Sequence, residues 1–102
     1  MQKMTAEADG RIVSSLNLRI LENDDPAHDC RPFAVIDNVR TEEAHRRRGY
    51  AAENLKRAER IARDAGCCKI MLCTSSRDEG VRRLYAKAGY DGEYKTWYCK
   101  AL

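Results

Sequence analysis

The chain has 102 residues, 43% hydrophobic and 34% charged, with 19 basic against 16 acidic side chains and a formal net charge of +3. Such a length supports one small domain, 1–102, and the composition excludes a disordered or low-complexity chain. No apolar run reaches the ~18 residues of a membrane span, and the opening MQKMTAEADG has no apolar signal-peptide core, so a cytoplasmic protein without a membrane partner is expected.

The first element is a hairpin. In 11–21, RIVSSLNLRIL, the apolar residues Ile12, Leu16, Leu18 and Ile20 share one parity and Arg11, Ser15, Asn17 and Arg19 the other, which predicts a half-buried strand. Asp9-Gly10 ahead of it is a tight-turn dipeptide, so Met4–Ala8 is expected to pair with it antiparallel. The polar stretch 22–32 carries both prolines and reads as a loop. The apolar run 33–39, FAVIDNV, interrupted by an acid and an amide, reads as a central strand whose end carries chemistry.

From Tyr50 the period changes. Ala51, Leu55, Ala58, Ile61, Ala62 and Ala65 recur at helical intervals, and Gly66 stands where a glycine stops a helix. The run 68–73, CKIMLC, predicts a short buried strand parallel to the preceding one, because a helix intervenes. Ser76 and Glu79 have the spacing of a capping box, and Val81, Leu84, Tyr85 and Ala88 share one face of the helix that follows. Gly89 closes that helix, and 94–102 is expected to be a last strand. The pattern β-β-β-α-β-α-β is α/β, a mixed and mainly antiparallel sheet with two helices.

Five cysteines (Cys30, Cys67, Cys68, Cys73 and Cys99) contain no CxxC pair, and adjacent Cys67–Cys68 lacks the spacing of zinc ligands. Reduced structural thiols and no metal site are therefore expected. His28 and His45 offer no base arrangement for a nucleophilic cysteine.

The stretch 45–55, HRRRGYAAENL, places three arginines and a glycine between a strand and a helix start. Unpaired N–H groups of a first helical turn converge on one point, and the helix dipole adds about half a positive charge there. Gly49 lets the backbone approach a phosphate, Ala51 and Ala52 keep the next turn open, and Arg46 and Arg48 can add charge-assisted bonds. The chemistry that fits is a pyrophosphate cradle. The rival reading is a nucleic-acid patch. It is disfavoured because such binders spread basic charge over a face with stacking aromatics, whereas here Glu42 and Glu43 lie just upstream.

Arg46-x-x-Gly49-x-Ala51 resembles the Q/R-x-x-G-x-G/A signature of the GNAT superfamily of acetyl-CoA-dependent N-acetyltransferases. The neighbours strengthen the likeness. The run 35–41, VIDNVRT, is similar to the strand that leads into the family's loop. The run 66–72, GCCKIML, resembles its next strand, especially in the glucosamine-phosphate acetyltransferase-like branch. The run 84–90, LYAKAGY, is similar to its recurrent L/F-Y-x-K-x-G-F/Y segment. The resemblance covers about residues 6–100.

It implies an acetyl-CoA cosubstrate whose pyrophosphate lies on Arg46, Arg47, Arg48, Gly49, Tyr50, Ala51 and Ala52. It implies a pantetheine arm paired with the backbone at Val39 and Thr41. Tyr85 corresponds to the family's acid for the leaving thiolate, and Asp37 to an acid that often serves the acceptor amine. Asp78 stands where an asparagine usually bonds the CoA arm, and Asn38 where the sugar-phosphate branch tends to have a second acid.

Family folds normally begin with a strand and two helices before the hairpin, and this sequence starts at the hairpin. A homodimer, or a partner chain, is expected to cover the exposed sheet edge. Without context Tyr85 would read as core and Asp37 as a structural acid. His45 reads as a positional residue and Trp97 as core or interface. The functional expectation is direct transfer of an acetyl group to a primary amine, and the alternative is a catalytically silent CoA-binding module acting in a dimer or with a partner.

Overall fold

A computed structural model describes residues 1–22, 32–94 and 98–102. Strands β1 (Gln2–Ala8), β2 (Arg11–Leu21) and β3 (Phe33–Thr41) are followed by a short 3-10 turn at Glu43–His45. Helix α1 (Tyr50–Asp64), strand β4 (Ile70–Leu72) and helix α2 (Glu79–Lys87) complete the order. The sheet runs β1-β2-β3-β4, antiparallel in its first two pairs and parallel between β3 and β4. The expected mixed sheet with two helices is therefore present.

The hairpin turn forms as its dipeptide requires, with φ of 54° at Asp9 and 75° at Gly10. Beyond it the simple alternation fails. Ala6 faces Ser14 but Glu7 faces Ile12, so Val13 is an extra residue bulged out of the ladder. The bulge resets which side chains point inward. Val13 is buried at 2% exposure, Ile12 is 52% exposed, and Leu16 and Leu18 occupy the core as expected. Ile20 lies near the strand end and is exposed as well.

Met4, Leu16, Leu18, Ala34 and Ile36 line one face of the sheet, and Leu55, Ala58 and Ala62 of α1 close over them. The two alanines at i and i+4 keep that helix close to the strands. Tyr85 of α2 completes the same cluster, so both helices pack on one face. Gly66 (φ 81°) ends α1 after Ala65, as a left-handed residue past a helix end should. The cap of α2 is not the expected capping box. Asp78 caps it, Oδ1 accepting from the N–H of Gly80 at 2.7 Å and of Val81 at 3.4 Å, while Ser76 Oγ accepts from Asp78 N–H. An ionised carboxylate at that place also suits the positive end of the helix.

Other expectations change. Tyr94 and residues 98–102 form no strand, and Trp97, with 95–97, lies outside the described residues, as does most of the expected loop 22–32. Cys68 is disulfide-bonded rather than a reduced thiol, while Cys67, Cys73 and Cys99 are free. Among the described residues no helix is long and apolar enough to cross a membrane.

The bulge makes a stability prediction. Val13→Ala should lower the unfolding free energy by about 2 kcal/mol in urea titrations, and Ile12→Ala by under about 1 kcal/mol. An unbroken alternation would give the opposite order.

Candidate active site

The site begins where β3 and β4 part. Ala34, Val35 and Ile36 pair with Ile70, Met71 and Leu72, and Cys73 N–H donates to Ile36 O at 2.9 Å. Among the described residues no further β3–β4 pair follows, although β3 continues to Thr41. A second bulge lies just past that point. Ser15 faces Arg40 and Asn17 faces Asp37, so Leu16 opposes both Asn38 and Val39. Asn38 has φ 54°, a left-handed value that asparagine tolerates better than most residues.

Two clefts flank the divergence. One, of about 610 Å³, runs from the end of β3 to the start of α1 and the buried face of α2. Val39, Thr41, Arg46, Arg47, Gly49, Tyr50, Ala51, Ala52, Asp78 and Tyr85 all line it. The sequence motif is thereby assembled in one place. Arg48 does not line this cleft. The other cleft, of about 640 Å³, is lined by Asn17, Arg19, Asp37 and Asn38 on β2 and β3, and by Cys73 and Ser75 beyond β4. Val39, Arg40, Thr74 and Ser76 border both. Tyr85 and Asp37 thus stand on opposite sides of a shared wall.

The first cleft contains the start of α1, with its unpaired backbone N–H groups. Gly49 (φ 86°, ψ 3°) precedes α1, and the first intrahelical bond runs from Glu53 N–H to Gly49 O at 3.0 Å. The N–H groups of Tyr50, Ala51 and Ala52 therefore have no acceptor within the helix. Arg47 is left-handed too, at φ 66°, so the loop alternates in the manner of an anion-binding nest. A Cβ on Gly49 would meet nothing within 4 Å. The glycine is required there by its backbone angle and not by crowding. A diphosphate fits this arrangement, since several convergent donors offer more than the exposed arginines alone.

A buried polar cluster fixes the cradle to the strands. Ser14 Oγ donates to Arg40 O at 3.1 Å and lies 2.9 Å from Thr41 Oγ1, and Asn54 Nδ2 donates to Ser14 Oγ at 3.4 Å. On the outer side Arg11 clasps Glu42 through Nε at 2.9 Å and Nη2 at 2.7 Å. That clasp holds the Glu42 carboxyl below its usual range. His45 is buried between Asp9 Oδ2 (3.5 Å from Nε2) and Glu42 Oε1 (3.6 Å from Nδ1), and it lines the first cleft.

Tyr85 is 9% exposed, and burial pushes its phenol above the ordinary value, with the Thr74 side chain acting the other way. Asp37 is different. Its side chain is 32% exposed, Oδ2 lies 3.7 Å from Arg19 Nη2, and Oδ1 is buried without a hydrogen-bond partner. The sequence reading missed Asn17, Arg19, Arg40, Thr74 and Ser75. Only the polar side of the strand alternation hinted at the first two, and the strand divergence that exposes the others has no local signal.

Fold and clefts define a class: an α/β domain with a glycine-led helix start beside a gap between two parallel strands. The chain belongs to the acetyltransferase (GNAT) family, whose sequence model matches residues 2–90. No curated protein matches it significantly. Among solved structures it is similar to a provisionally assigned acetyltransferase from Agrobacterium tumefaciens, with 33% identity and a TM-score of 0.81 over 95% of this chain and 66% of the other. It shares its fold with a Bacillus halodurans protein described as a transcriptional regulator, at 23% identity and TM-score 0.81, covering 95% and 63%. It shares it also with the aminoglycoside N-acetyltransferase AAC(6')-Iy in complex with CoA, at 17% identity and TM-score 0.79, covering 96% and 73%. The chain spans about two thirds of the length of the first two structures.

The cradle predicts a hierarchy among variants. Gly49→Val should weaken CoA binding by tenfold or more, on the order of 1.4 kcal/mol, because the left-handed residue must rebuild. Arg47→Ala should cost less. Calorimetric titration with CoA measures both, and equal losses would place the binding in the arginine side chains.

Proposed function

We propose that this chain is a single acetyl-CoA-binding domain that transfers an acetyl group directly to a primary amine, without an acyl-enzyme. The observation that carries this reading is the pair of clefts meeting at the β3–β4 divergence, with the Tyr85 phenol on one side and the partly exposed Asp37 carboxylate on the other. Acetyl-CoA supplies an acyl group activated as a thioester. The Gly49–Ala52 backbone binds its diphosphate, and the unpaired edge of β3 at Val39–Thr41 offers main-chain partners to an extended arm.

Asp37 receives a proton from the acceptor ammonium, directly or through water, so that the nitrogen has a lone pair with which to attack the carbonyl carbon. As the new C–N bond forms and the C–S bond breaks, Tyr85 gives its proton to the departing sulfur, and the second proton lost by the nitrogen as the amide forms restores the phenol through solvent. Burial raises the phenol, so it holds its proton at neutral pH and is available as a donor. Asp37 is shorter than the glutamate common in the amino-sugar branch, so a bridging water is the natural route from carboxylate to amine.

A cytoplasmic location belongs to the same reading, since acetyl-CoA is an intracellular metabolite. A homodimer belongs to it as well. β1 and β4 are the outer strands of the sheet, and a second copy would cover an edge of unpaired backbone groups. Sedimentation at micromolar concentration should show a dimer, and a monodisperse monomer would exclude it.

Tyr85→Phe should lower kcat by about 10²–10⁴ while leaving acetyl-CoA affinity within about twofold. Because the phenol is raised from 10.0, loss of its proton should not depress wild-type kcat until the pH exceeds 10. Unchanged turnover in the variant would remove the acid role. Acetyl-CoA that raises the melting temperature with no transfer to any amine would instead mark a silent CoA-binding module.

A further inference from the structure

We propose that the acceptor is an amine bearing its own anionic group, a carboxylate or a phosphate within a few bonds of the nitrogen, and that Arg19 and Asp37 read its two charges. This rests on the acetyl-transfer reading and deepens it by naming the acceptor's class. The observation is the charge pattern of the second cleft.

Arg19 and Asp37 sit on adjacent strands, Asp37 opposite Asn17 and Arg19 opposite Val35, on the sheet face away from the helices. The guanidinium nitrogen is 3.7 Å from Oδ2. That distance is too long for a hydrogen bond, so neither group satisfies the other. Asp37 Oδ1 is buried with no partner among the described residues, while the side chain as a whole is 32% exposed and lines the cleft, so its accessible part is what a ligand donor meets. The Arg19 side chain is half exposed, with donors free to turn into the cleft. Arg40 adds a second guanidinium, oriented by the bond from its Nε to Asn38 Oδ1 at 2.8 Å.

Among the described residues lining the cleft there are thus two guanidiniums and one carboxylate. A polycationic amine would satisfy Asp37 and leave its remaining charges against Arg19 and Arg40. A plain alkylamine would satisfy Asp37 and place its ammonium beside an uncompensated Arg19. An amine carrying an anion meets an opposite charge at both places: ammonium to the exposed side of the Asp37 carboxylate, anion to the Arg19 fork. Guanidinium binds carboxylate and phosphate alike through two parallel N–H bonds, so both anions satisfy the same device. The arrangement also orients the acceptor. With its anion held by Arg19, the nitrogen lies at Asp37, two residues from the wall at Val39 that separates the clefts.

The test is calorimetric binding in the presence of saturating CoA, with acetyl transfer from acetyl-CoA measured in parallel. The panel pairs alanine with ethylamine and O-phosphoethanolamine with ethanolamine, and adds the polycation neamine. The anionic member of at least one pair should bind roughly tenfold or more tightly than its neutral-chain partner. The pair that discriminates identifies carboxylate or phosphate. Arg19→Gln should abolish the discrimination, and Arg19→Glu should shift preference toward neamine. Arg19 is exposed enough that both variants should retain the wild-type melting temperature within a few degrees. Equal binding within both pairs, tightest binding of neamine, discrimination that survives Arg19→Gln, or no binding of any panel amine would each overturn the proposal. Failure of acetyl-CoA itself to bind would overturn the transfer reading beneath it. CoA binding with transfer only to ethylamine or neamine would overturn the acceptor class alone.

Discussion

Parallel pairing between β3 and β4 stops at Ile36 and Leu72, and the rest of the site depends on that stop. Backbone N–H and C=O groups are obligatory hydrogen-bonding groups, so a strand that runs on without its neighbour presents unsatisfied positions along one edge. β3 runs on for five residues past Ile36, to Thr41. A closed ladder there would leave no gap, and α1 and α2 would cap an ordinary sheet. The divergence instead creates two clefts with a common wall. The bulge at Asn38–Val39 contributes by changing the register between β2 and β3 just beyond the last β3–β4 pair.

An opening in a sheet is a weakness unless other contacts hold the strands apart in one arrangement. The Asn54–Ser14–Thr41 cluster does this from inside. It joins α1, whose first turn lines the first cleft, to β2 and to the end of β3. Asn54 is 1% exposed and Ser14 3%, so these bonds form away from water, where a satisfied polar network is stiff and a broken one is costly. Arg57 extends it outward, donating to Asn54 Oδ1 at 3.2 Å and to Thr5 O of β1 at 2.7 Å. The exposed Arg11–Glu42 clasp is worth little as an ion pair. It acts by fixing where the chain leaves β3 and turns through His45 into the loop.

Most of the element order was legible because helix and strand periods are local signals. The turn at Asp9-Gly10, the α1 period and the glycines that end both helices are each set by a few neighbouring residues. What the sequence could not show depends on register. The Val13 bulge inverts the expected sides of Ile12 and Val13, and no residue there announces it, because the bulge is set by how β1 meets β2. The cap of α2 shows the same limit. Ser76 and Glu79 have capping-box spacing, but Asp78 holds the cap once the chain leaving β4 approaches the helix from its actual direction. The first cleft was legible through its glycine, its small residues and Tyr85. The second was not, since Arg19 and Asn17 look like any solvated side of a strand until β3 brings Asp37 alongside.

That contrast bears on how arginines should be weighted. Arg46, Arg47 and Arg48 form the most conspicuous cluster in the chain, yet all three are exposed and Arg48 does not line the cleft. Arg46 makes only a long contact, Nε to Thr41 O at 3.4 Å. In solvent a guanidinium contributes a screened and modest attraction, and here it duplicates what the helix N-terminus already supplies. Arg19 is solitary, but it borders a partly buried carboxylate with one oxygen unpartnered. Charges matter in proportion to the water excluded around them and to the lack of an alternative partner. On both counts the single arginine on β2 stands in a less solvated setting than the triplet that dominates the sequence.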